Sequence, residues 1–128
     1  MMSIFDRLSD APISQEWTER IVRLLGCNCP SEIFDSITRV DLSEHDPELV
    51  LAIGGRLLVA LVPATRLGQA ASLLQRGRDR RDALGLHRFR LVLVGEVPPE
   101  HLAPLEAIAC DLDERVHVHA LPESALHG

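Results

Sequence analysis

Residues 48–63 read ELVLAIGGRLLVALVP, two apolar runs rich in Val, Leu and Ile separated by Gly54-Gly55. Glycines tolerate the positive φ values that a tight hairpin turn demands, so the spacing predicts two antiparallel strands, Glu48 to Ile53 and Arg56 to Val62, joined by a two-residue turn. Pro63 has no N–H to give a ladder and ends the second strand. From Thr65 as a cap, a helix is expected to run to about Leu84, with Gly85 as its stop. Arg88 to Val94 then reads as a near-continuous apolar strand of the kind buried on both faces.

Outward from this stretch the signals weaken. Toward the N-terminus, Glu32 to Leu42 fits either a strand or a short helix leading into one, and a strand near Ser36 to Leu42 is the favoured reading. Before it, Ser14 caps a helix with Trp17, Ile21, Leu24 and Leu25 on one face, which Gly26 ends. A short helix is expected around Ser3 to Leu8, ended by Asp10-Ala11-Pro12, with residues 1–12 a lead-in. Toward the C-terminus, Pro98 and Pro99 open a helix whose stripe is Leu102, Leu105, Ile108, Ala109 and Leu112. Arg115 to Leu121 alternates Val116 and Val118 with His117 and His119, as a strand with one wet face does. Residues 122–128 read as a frayed tail. The resulting order, α-β-β-β-α-β-α-β, predicts a single α/β domain over residues 1–128, a layered mixed sheet with helices on both faces.

Composition bounds the function. A chain of 128 residues, 46% of them hydrophobic, supports one core. Its longest apolar stretch, Leu57 to Ala64, falls far short of the roughly 20 residues of a membrane span. Asp6, Arg7 and Asp10 interrupt any secretory leader, and three cysteines, with Cys27 and Cys29 too close to bridge easily, suit free thiols in a reducing compartment. A cytoplasmic protein without membrane contact is expected. Cys110 lies near the helical stripe and reads as core.

The net charge of −6 is unevenly spread. Residues 64–90 carry seven arginines against Asp79 and Asp82, while both flanks are acidic. The absence of Lys is the bias that a GC-rich coding sequence produces. The clustering implies a local basic patch for phosphate or an acidic protein surface, and the overall charge disfavours long contacts with DNA.

In its element order and in its Glu48-Leu49-Val50-Leu51-Ala52, Arg56 to Pro63 and Arg88 to Val94 segments, the chain resembles the restriction-endonuclease-like, or PD-(D/E)xK, superfamily in its Holliday-junction-resolvase-like branch, over about residues 46–121. The resemblance implies a metal-binding Asp on the second strand, a Glu-x-Lys on the third and a glutamine near the start of the next helix, here Gln69 or Gln75. At the corresponding places this chain has Leu49, Leu61 and Pro63. Metal-dependent phosphodiester hydrolysis needs at least two carboxylates around a hard cation, so the expectation is a domain without catalytic residues and without a cofactor. A displaced site that binds Mg²⁺ or Mn²⁺ through Asp46 and Glu48, helped by Asp41, Glu44, Glu16 or Glu19, is the nuclease alternative. The competing reading of residues 44–47 is a solvated turn.

The helix after Pro63 supplies the other candidates. With Leu67, Ala70, Ala71 and Leu74 as its inward stripe, Arg78 and Arg81 continue the line, unless the helix ends near Gly77. Arg76, Arg78, Arg80 and Arg81 are therefore the candidate residues for binding a partner protein or a phosphate. The favoured function is protein binding as an adaptor, regulatory or assembly subunit, with a homodimer also possible. Nucleic-acid binding without cleavage is the third reading. His117 and His119 share a strand face and are a minor metal candidate, while Cys27-Asn28-Cys29 lacks zinc-knuckle spacing.

Overall fold

The computed structural model describes residues 13–26, 30–42 and 48–126. The expected helix at residues 3–8, the Cys27-Asn28-Cys29 motif, and Glu44 and Asp46 lie outside them. Helix α1 (Gln15–Leu24) leads through a 3₁₀ turn (Ser31–Asp35) into β1 (Ile37–Val40), β2 (Leu49–Ile53) and β3 (Leu57–Pro63). A second 3₁₀ turn (Ala64–Gln69) precedes α2 (Ala70–Leu84), followed by β4 (Arg88–Val94), α3 (Pro99–Leu112), β5 (Val116–Leu121) and a last 3₁₀ turn (Glu123–Leu126). None of these helices is long and apolar enough to cross a membrane.

The five strands lie side by side in chain order. The first three form an antiparallel meander, with Ile37 opposite Ile53 and Leu49 opposite Leu61. The last three run parallel, with Leu61 beside Val92 and Val92 beside His119. At the hairpin, Gly54 and Gly55 both have positive φ, 61° and 67°. Ile53 pairs with Leu57, so Arg56 joins the glycines in a three-residue loop and the second strand begins one residue later than expected. A side chain at Gly54 would also strike Ile33 of the first 3₁₀ turn.

Strand alternation sorts the core into two layers. Leu49, Leu51, Ile53, Leu57, Val59, Leu61, Val92 and Val94 meet α1, Ile33, Phe34 and Leu126 on one face. Val50, Leu58, Ala60, Val62, Phe89, Leu91, Leu93, Val116 and Val118 meet α2 and α3 on the other. Both parallel crossovers, through α2 and α3, thus lie on one side, as successive crossovers of one hand require.

Local chemistry sets the helix ends. The Ser14 hydroxyl accepts the Trp17 N–H at 3.0 Å at the start of α1, and Gly85 closes α2 in the left-handed conformation, φ 71°. Pro98 and Pro99 open α3. The expected cap at Thr65 is replaced by the 3₁₀ turn, which has no side-chain cap and is kinked at Arg66.

Several burial expectations are corrected. Leu24 is 54% exposed, and Val22 and Thr18 take its place against the sheet. Ile108 and Cys110 are exposed, because α3 buries only the line through Leu105 and Ala109. The end of the chain is not frayed as far as Leu126: that residue is buried, and its carbonyl accepts the Trp17 indole N–H at 2.7 Å. Trp17 thus anchors both ends of the described chain.

Candidate functional site: the arginine face of α2

Helix α2 turns Ala70, Leu73, Leu74, Gly77 and Arg81 inward. Leu73 replaces Ala71 in the expected stripe, and Gly77 takes the inward place given to Arg78. The helix does not end near Gly77; it continues through Leu84. Gly77 is there for space, because it lies against the Phe89 ring and any Cβ would overlap that ring.

The four arginines singled out from the sequence have different environments. Arg76 and Arg80 are exposed and have no ion pair among the described residues. Arg78 is partly exposed and meets neighbouring Asp79 at 3.1 Å. Arg81 is buried and committed inside the chain, with its Nη2 2.7 Å from Asp113 Oδ2 and 2.9 Å from Asp82 Oδ1. Asp113 follows α3, and its other oxygen accepts the Arg115 N–H at 2.8 Å. These bonds from Arg81 and then from Arg115 hold the Asp113 carboxyl below the usual carboxylate range. Arg81 therefore ties α2 to the corner between α3 and β5. Arg76 and Arg80 border an open depression of about 340 Å³, shared with Asp41, Leu42, Asp79 and Ala83.

Leu49 and Leu61, singled out from the sequence, are brought together. Leu49 and Leu61 are direct cross-strand partners, 3% and 1% exposed, in the core layer beneath α1. Glu48, one of the two displaced-site candidates, lies with Arg66 and Gln69 at the start of α2. Its Oε1 is 3.6 Å from Arg66 Nη1, and its Oε2 accepts the Leu42 N–H at 2.8 Å. Arg66 Nε and Nη2 donate to Gln69 Oε1 at 3.1 and 3.0 Å. The cation beside Glu48 is thus a guanidinium. Among the described residues no group of three or more His, Cys, Asp or Glu is placed to hold a metal ion.

No family model, curated protein or solved structure matches this chain. The site must be read from its own residues, and two of the more unusual ones escaped the sequence reading. Arg66 and Arg90 are both buried. Arg66 was invisible because its partner Glu48 is 18 positions away. Arg90 was hidden in an otherwise apolar strand, and only the pairing of Arg90 with His117 signals that its face is polar.

His119, expected to be a wet-face residue, is half-buried, with its Nε2 2.7 Å from Arg90 Nη1. Burial first, then Arg90 and His117, push its pKa down to about 4. Burial, then Arg90 and Arg88, also lower His117. Between the ordinary histidine pKa of about 6.5 and the folded value, the unfolded chain binds the proton that the folded chain refuses. Stability is therefore full above pH 6.5 and falls as the pH drops toward 4, by roughly 2–3 kcal/mol from His119. Urea unfolding at several pH values should show a shallower decline in His119→Gln, and equal slopes would refute this assignment.

Proposed function

We propose that the chain is a non-catalytic α/β domain of restriction-endonuclease-like type that binds another protein through the exposed arginines of α2, as an adaptor, regulatory or assembly subunit. The observation that carries this reading is the Leu49 and Leu61 pair. Where the superfamily places acids around a hard cation, two leucines face each other in the core, and a leucine can neither ligate a metal nor position water. What the chain offers instead is Arg76, Arg78 and Arg80 on one helix, with Arg81 withdrawn to brace it. Guanidinium groups on a rigid helix suit bidentate recognition of a partner's carboxylates. The net charge of −6 favours such a partner locally over the long polyanion of DNA.

In-cell crosslinking followed by mass spectrometry tests the proposal. Wild type is expected to crosslink a defined protein through α2. Arg76→Glu/Arg80→Glu should lose that crosslink with little change in Tm, since neither arginine has an internal ion pair among the described residues. Cleavage of branched or single-stranded DNA with Mg²⁺ or Mn²⁺, abolished by Asp46→Ala or Glu48→Ala, would overturn it. So would oligonucleotide binding that outcompetes the protein partner.

A further inference from the structure

Arg90 is a cation buried without an anion. Only 7% of it is exposed, and no carboxylate among the described residues reaches it. Its charged neighbour is another cation, Arg88. Nη1 meets His119, while the buried Nε has no hydrogen-bond partner. An uncompensated buried ion costs several kcal/mol, and buried polar atoms in folded proteins nearly always find partners.

The surroundings are cationic or imidazole. Strand alternation places Arg88 and Arg90 on the sheet face opposite α2 and α3, and the register sets His117 beside Arg90 and His119 one step along. The two imidazole rings are 6.5 Å apart. Two neighbouring strands therefore present two guanidinium and two imidazole groups together.

We infer that Arg90, His117 and His119 form an oxyanion site that takes the phosphate group of a small ligand, with Arg88 at its exposed side. The guanidinium fork matches phosphate oxygens, and the buried Nε is a donor without an acceptor. A neutral imidazole still carries one ring N–H that can donate to a phosphate oxygen. A groove of about 360 Å³ at the β5 edge of the sheet, bordered by Glu106, Cys110 and Glu114, reaches His117 and His119 but is not lined by Arg88 or Arg90. Those carboxylates oppose an extended polyanion approaching the two imidazoles. The site lies across the sheet from the α2 arginines and is independent of the function proposed for them.

Inorganic phosphate titrated into the protein at constant ionic strength, with chloride as the balancing salt, tests the assignment. Saturable NMR shifts of the His117 and His119 ring protons are expected, with Tm rising as the logarithm of phosphate concentration. Arg90→Met should abolish both responses while leaving the ligand-free Tm equal or higher, since it replaces an unpaired cation by an apolar chain. If that variant does not fold, His117→Gln/His119→Gln should weaken phosphate binding at least tenfold. Tighter binding of a nucleoside monophosphate, with the bare nucleoside silent, would assign a phosphate ester, and equal binding would assign free phosphate. Shifts no larger than those in chloride alone, or shifts that persist in Arg90→Met, would overturn the site.

Discussion

Gly77→Ala is expected to destabilise the protein by roughly 2 kcal/mol or more, although helix propensity alone predicts a gain of about 1 kcal/mol for this exchange. The two effects have opposite signs, so the sign decides between them. A Cβ on Gly77 would lie 2.5 Å from Phe89 Cε1 and closer still to Cζ and Cε2. Phe89 is fully buried among Leu58, Ala70, Leu74 and Leu91 and has nowhere to swing. To make room, α2 would have to lift from the sheet and loosen the contact that positions Arg76, Arg78 and Arg80. Gly68→Ala is the control: open space surrounds that glycine, so its effect should stay within about 0.5 kcal/mol. Urea denaturation measures both. A Gly77→Ala variant as stable as wild type would mean that the close approach of α2 to β4 is wrong. Partial rescue by Phe89→Leu would locate the collision in the ring.

The second large effect is expected at the buried pair beneath the start of α2. Glu48 and Arg66 side chains are each 7% exposed, so removing either partner leaves a charge in a dry place. Arg66→Ala should cost about 2–3 kcal/mol, through the lost bonds to Gln69 and the lost ion pair with Glu48. Glu48→Ala should cost a similar amount, because it also removes the acceptor of the Leu42 N–H. Replacing both together, as Glu48→Leu/Arg66→Met, should cost less than the sum of the singles, since the two side chains interact. A double-mutant cycle by chemical denaturation reads this directly, and additive losses would show that the two groups do not act as a pair. The result also bears on catalysis: a carboxylate engaged by a guanidinium is poorly placed to hold a divalent ion.

The strands, the glycine turn and the helix stops were legible in the sequence because each rests on neighbours a few positions apart. Gly54-Gly55 reverses the chain, Gly85 closes α2, and Pro98-Pro99 opens α3, all through local backbone preferences. The buried face of each helix was read less well. Leu24 and Ile108 fit an apolar stripe yet face outward, and Gly77 fits no stripe yet points inward. A helical period names the apolar residues, but the angle at which the helix meets the sheet selects which of them are covered.

The candidate site was legible as a cluster of arginines, and its division of labour was not. Arg76 and Arg80 are exposed, while Arg81 braces the fold through Asp113, 32 positions away. Arg66 and Arg90 resemble the others in sequence but are buried, one beside Glu48 and the other beside His119. By itself the sequence determined the α/β elements, the apolar character of the strands that carry Leu49 and Leu61, and the concentration of positive charge after Pro63. Only the tertiary structure decided which arginines stay exposed and which are buried or paired, because burial and charge pairing depend on residues that the fold, and not the chain order, makes neighbours.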